Sequence, residues 1–174
     1  MKKTFSLVAS LTAVSAACAA VLACVNALTA GPVAEARKHN ALEAARAVMP
    51  AAVVRVEPAK DGAFLGYAAD GSFAGCAVPG SDSGGYGGDI VLMVGFGPDR
   101  RTVVRYRKLA ASETPGLGMK LSSPEFADQF AGRDGTDLKV KKDGGSIEAI
   151  ASATITSRAV CRAVADAAKR AASL

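Results

Sequence analysis

Residues 5–30 contain no charged side chain. At about 1.5 Å per residue, a helix of this length exceeds the roughly 30 Å of a bilayer's hydrocarbon core. The polar members of the run are Thr, Ser and Asn26, which lipid tolerates. Lys2 and Lys3 precede it and favour an N-terminus left in the cytoplasm. The run predicts one N-terminal transmembrane helix within residues 1–31. A cleaved signal peptide is the rival reading, but its apolar stretch spans only about 7–15 residues. A lipoprotein reading, with Val21-Leu22-Ala23 before Cys24, conflicts with the apolar run continuing past that cysteine. All three readings send the rest of the chain out of the cytoplasm. The expected location is the cytoplasmic membrane, single-pass, with the globular part on the extracytoplasmic side.

Residues 32–50 read as a connector helix rich in Ala, Glu and Arg, closed by Pro50. Residues 51–174 are enough for one domain of ordinary size. Short strands are expected at 51–57 and 63–68, around an Asp61-Gly62 turn. A third is expected at 73–78, followed by a loop over 79–88 by composition alone. Residues 89–96 form a strongly apolar strand. Residues 102–109 alternate as a half-exposed partner, with Val103, Arg105 and Arg107 on one face. Ser123 and Pro124 open a short helix that Gly132 ends, and 137–142 reads as a further strand. The stretch 156–173 repeats Ala159, Val160, Ala163, Val164, Ala167, Ala168 and Ala171 at helical spacing. Strands and helices without regular βαβ alternation indicate an α+β domain, with small mixed or antiparallel sheets packed against helices.

Several functions lack their residues. The net charge of +5 is spread among acids, and aromatic residues are 5% of the chain, so nothing offers a stacking platform for nucleic acid. Cys18 and Cys24 lie in the anchor. Cys76 and Cys161 are isolated, without a C-x-x-C pair, so neither zinc nor an iron–sulfur cluster is supported. Two buried thiols or a disulfide both fit that pair, the thiols better. The single histidine, His39, sits in a charged stretch and reads as a surface residue. With no G-x-S-x-G either, no catalytic residue and no metal ligand is assigned.

The informative segment is Ser152-Ala153-Thr154-Ile155-Thr156-Ser157, just before the last helix. A helix start presents unpaired N–H groups and the positive end of the helix dipole, which suit a phosphate. The small residues before Thr154 leave its hydroxyl accessible. The same residue types also serve as helix caps, and the segment taken alone favours the cap, although one hydroxyl can cap while another carries a ligand. A second segment, Glu113-Thr114-Pro115-Gly116-Leu117-Gly118, is a tight turn by its chemistry.

Together the two segments resemble the FMN-binding domain family, shared by the G subunit of the Rnf electron-transport complex and the C subunit of the sodium-translocating NADH:quinone reductase. That family pairs an E-T-P-G-L-G loop with a later D-x-x-[ST]-G-A-T signature. The loop is intact at Glu113 to Gly118; the signature stands as Glu148-Ala149-Ile150-Ala151-Ser152-Ala153-Thr154. Glu148 replaces Asp, Ala151 replaces Ser or Thr, and Ser152 replaces Gly. The following Ile155-Thr156-Ser157-Arg158-Ala159-Val160 is similar to the G subunit in particular. So is Val140-Lys141-Lys142-Asp143-Gly144-Gly145, and the strand and turn at Gly85-Tyr86-Gly87-Gly88-Asp89-Ile90 and the single anchor also fit.

The resemblance implies FMN joined through its phosphate to Thr154 by a flavin transferase. Glu113, Thr114, Gly116, Leu117, Gly118, Ser152, Ala153, Thr156 and Ser157 would line the cofactor. It further implies an electron-transfer subunit, not a stand-alone enzyme. Its partners would be other membrane subunits moving electrons between ferredoxin and NAD, coupled to ion transport. Two other functions fit the same residues: a flavin domain of another extracytoplasmic respiratory chain, and a cofactor-free anchored scaffold in which Thr154 is only a cap.

Overall fold

The computed structural model describes residues 2–113 and 118–174, with side chains from residue 6 onward. The chain divides into two compact units, Met1–His39 and Asn40–Leu174. Helix α1 runs over Lys2–Val48 and carries Pro32 inside it, so the expected anchor and connector lie on one helix. The part from Ser6 onward is long and apolar enough to cross a membrane, with a mean hydropathy of 2.2 in its most apolar window and none of that window buried.

In the second unit, five strands form one antiparallel sheet in the order of the chain. They are β1 (Arg55–Pro58), β2 (Phe64–Tyr67), β3 (Phe73–Asp82), β4 (Ile90–Phe96) and β5 (Val103–Ala111). The connection between β1 and β2 is the expected one, with Asp61 and Gly62 at φ of 55° and 75°. The α+β class read from the sequence is the class observed.

Both faces of the sheet are covered, which explains why β4 is an almost continuous apolar run. Ile90, Leu92, Val94 and Phe96 join one core cluster, while Met93 joins the other. That is the period of two expected of a strand. The first cluster lies under helix α3 (Thr154–Ala171). Its Ala159, Val160, Ala163, Val164, Ala167, Ala168 and Ala171 are all buried, as the helical spacing predicts. The second cluster joins Met93 and Ala77 to Ala44, Ala45 and Val48 near the end of α1 and to Met49 beyond it. Each fully buried Leu, Val or Phe contributes about 1.5–3 kcal/mol.

Four elements differ from the sequence reading. β3 continues to Asp82, through the segment expected as a loop. Beyond Ala77 it has no β2 partner, so Pro79 occupies a strand with a free edge. Gly80 is where α3 crosses, and a Cβ there would collide with the Ala163 carbonyl. β5 does not alternate strictly. A register shift between Gly95 and Phe96 lets Val103 and Tyr106 both turn inward, three residues apart. The expected strand at 137–142 reduces to an isolated bridge between Val140 and Ile147, followed by a 3-10 turn over Lys141–Asp143. Leu138 and Val140 are buried, but neither joins one of the five strands of the sheet. Helix α2 is only Pro124–Ala127, with Ser123 at the cap position making no side-chain cap bond and a 3-10 turn following. Cys76 and Cys161 are both buried free thiols. Burial pushes them up to about 11 and about 12 respectively.

Candidate functional site

Helix α3 begins at Thr154 itself, two residues earlier than its periodicity indicates, and Ala153 holds the cap position without a side-chain cap bond. Thr154 is therefore not the cap. Ser157, inside the helix, instead braces the turn that precedes it. Its Oγ donates to the Ala153 carbonyl at 2.9 Å and accepts from the Ile150 N–H at 2.9 Å. Ala153 N donates to the Ile150 carbonyl at 3.0 Å, which closes a tight turn over 150–153. The third residue of that turn, Ser152, lies at φ 59°. This is the left-handed region, where glycine is preferred.

Counting partners among the described residues, the first N–H of α3 to have one is that of Ser157, on the Ala153 carbonyl at 3.0 Å. Among the described residues, those of Thr154, Ile155 and Thr156 have none. Beside them stands Lys142, whose Nζ is 3.4 Å from Thr154 Oγ1.

Three polar or charged residues are buried among those described: Glu113, Thr156 and Ser157. All three are here. Thr156 Oγ1 donates to Glu113 Oε2 at 2.9 Å, and Gly87 N donates to Glu113 Oε1 at 3.4 Å. Gly118 fits against the same carboxylate, because a Cβ at 118 would collide with it; one at Gly85 would lie 2.7 Å from Oε1. Glu113 is 6% exposed and makes no ion pair among the described residues. One buried carboxylate thus gathers the loop after β3, the end of β5 and the start of α3.

These groups face a cavity of about 440 Å³. Glu113, Gly118, Ser152, Ala153, Thr154 and Thr156 line it, and Ser157 points away into the turn. Thr114, Gly116 and Leu117 lie outside the described residues. Tyr86 and Ile155 also line the cavity, 72% and 49% exposed, although neither was a candidate from the sequence. A lone aromatic inside Gly84-Gly85-Tyr86-Gly87-Gly88 was the available signal for Tyr86; Ile155 carried none beyond its place after Thr154.

Around this site the ions are sorted into pairs. Glu148 bonds Lys141, and Arg158 grips Asp143 with two bonds of 2.6 and 2.7 Å. The Arg158 guanidinium holds the Asp143 carboxyl below the usual carboxylate range. Gln129 holds the Glu148 backbone at both ends. It accepts from the N–H at 2.6 Å and donates to the carbonyl at 3.4 Å.

The sequence pattern of the FMN-binding domain matches residues 85–169. The G subunit of an ion-translocating oxidoreductase complex from Cereibacter sphaeroides is 35% identical over 159 residues, which cover 82% of this chain and 72% of that protein. The subunit of the same name from Methanosarcina acetivorans is 40% identical over 77 residues, 44% of this chain and 41% of its own length. A Clostridium ljungdahlii protein, named as the G subunit of a proton-translocating ferredoxin:NAD(+) oxidoreductase complex, is 40% identical over 90 residues, 50% of this chain and 48% of its own length. The matched part thus spans less than half of the last two relatives. In fold, the chain is similar to Shewanella oneidensis NqrC, with a TM-score of 0.53 at 19% identity over 71% of this chain and 73% of that one.

Proposed function

Because the chain belongs to the family of G subunits of ion-translocating oxidoreductase complexes and carries their FMN-binding domain, we propose that it is an electron-relay subunit of such a membrane complex, with FMN joined through its phosphate to Thr154. The observation that carries this reading is the place of Thr154. Its hydroxyl lines a cavity at the first turn of α3, beside N–H groups without partners among the described residues and within 3.4 Å of a lysine ammonium.

The residues fit the cofactor. A volume of about 440 Å³ is within the roughly 300–1,000 Å³ of small-molecule sites. The N–H groups of Ile155 and Thr156 suit a phosphate. Tyr86 and Ile155 offer apolar surface for a ring, and Gly118 and Ala153 leave room for it. By resemblance, Thr114, Gly116 and Leu117 complete the ring site. FMN, once bound, accepts two electrons together and releases them singly. The Glu113 carboxylate faces the same cavity from a buried position. Its charge disfavours added negative charge nearby and so lowers the potential at which electrons are held. The hydrogen bond from Thr156 fixes where that charge stands.

The surrounding assignments follow from the same reading. Residues 1–31 form the single anchor, 32–50 the connector and 51–174 the flavin domain, on the extracytoplasmic side of the cytoplasmic membrane. A covalent bond retains the cofactor there, where flavin is not readily replenished. The Ala, Ser and Thr content of the anchor permits close packing against other membrane subunits. Those subunits carry the exchange with ferredoxin and NAD and the ion transport, and a flavin transferase matures Thr154.

The test is the intact mass of the chain expressed with a flavin transferase, beside a Thr154→Val variant. The wild type gains one FMN and the variant none. A wild type that stays unmodified with an active transferase refutes the covalent assignment.

A further inference from the structure

Four consecutive residues, Lys139, Val140, Lys141 and Lys142, bring three cations toward the start of α3, and the structure treats each differently. Lys139 pairs with Asp137 at 3.6 Å, and Lys141 pairs with Glu148. Lys142 has no carboxylate partner among the described residues; its polar contact is Thr154 Oγ1 at 3.4 Å. This placement is built by two features. The 3-10 turn Lys141–Asp143 closes on Gly144 in the left-handed region, at φ 81°. Its last residue, Asp143, is then gripped by Arg158. Arg158 stands four residues after Thr154, and so on the same face of α3. The Asp143 clamp therefore lays the turn along that face and brings Lys142 over Thr154.

From this we propose that Lys142 is the charge partner of the phosphate on Thr154, an inference that rests on the flavin reading above. The charges match. An FMN phosphate esterified to a threonine is a diester with one negative charge near neutral pH, and Lys142 is one ammonium released from carboxylates. Lys142 is a positioning residue. It draws the phosphate toward the helix start, and the ring follows from that anchor point. Since Lys142 is exposed, the attraction is modest and is screened by salt.

The experiment compares melting temperatures of the full chain in detergent, made with and without the transferase, at low and high salt. The variants are Lys142→Gln, Lys142→Arg and Lys141→Gln. The readout is the change in Tm that FMN attachment brings to each variant, so a variant's own effect on folding cancels. At low salt the gain in Lys142→Gln falls short of wild type by about 1–4 °C. High salt erases the shortfall, and Lys142→Arg and Lys141→Gln match wild type. An equal gain in wild type and Lys142→Gln, or an equal shortfall in Lys141→Gln, overturns the role of Lys142. A wild type that takes up no FMN overturns the flavin reading itself, and this inference with it.

Discussion

Replacing Ser152 by glycine tests whether the turn ahead of Thr154 is strained. Ser152 is at φ 59°, on the surface, and its hydroxyl has no hydrogen-bond partner among the described residues. An L-residue in that region costs about 1–2 kcal/mol. Glycine removes this, but loses about 0.5–1 kcal/mol through the greater freedom of its unfolded chain. The net gain is about 0.5–1 kcal/mol, because no contact is given up. For a domain of this size it raises Tm by about 2–6 °C. Ser152→Ala is the control: it deletes the hydroxyl, keeps the Cβ, and stays within about 0.5 kcal/mol of wild type. Thermal and urea unfolding of the three proteins give the comparison. If Ser152→Gly is neutral or destabilised while Ser152→Ala is unchanged, the strain argument is wrong.

Two further outcomes follow from the same geometry. Thr156→Val keeps the shape of the side chain but takes the 2.9 Å donor from buried Glu113; urea unfolding shows a loss of about 1–3 kcal/mol, and a loss below about 0.5 kcal/mol contradicts the network. Asp82 accepts two bonds of 2.8 Å from Arg162, which hold its carboxyl below the usual carboxylate range. The link therefore adds stability above the ordinary carboxylate pKa of about 3.9 and loses it as pH falls through the lower folded value. With Arg162 half exposed, Asp82→Asn costs only about 0.5–1 kcal/mol at pH 7, and a difference from wild type that fails to shrink below about pH 4 refutes the assignment.

The sequence was most legible where one element satisfies a single period. The small-residue face of α3 and the apolar run of β4 are continuous enough to be read without tertiary knowledge. β3 was not, because Pro79-Gly80-Ser81 has loop composition. Only the missing β2 partner and the crossing of α3 make a proline and a glycine suitable there. The bulge that turns Val103 and Tyr106 inward is likewise a property of the pairing with β4. At the site, two short motifs were enough to nominate Glu113, Thr154 and Thr156. That Glu113 and Thr156 bond each other across 43 residues is a tertiary fact. Tyr86 was hidden in a glycine run, and the alignment of Lys142 with Thr154 depends on the grip of Arg158 on Asp143.

Gln129 leaves a wider consequence. It holds position 148 by the peptide group alone, as a neighbouring strand would, while the side chains of Glu148 and Ala151 face solvent. The backbone at position 148 is thus held by a residue 25 positions before Thr154, whichever side chain position 148 carries. Spelling and scaffold are separable here. The side chains at 148 and 151 can therefore change without loss of this support, and turn geometry is a better guide than motif letters to chains that share it.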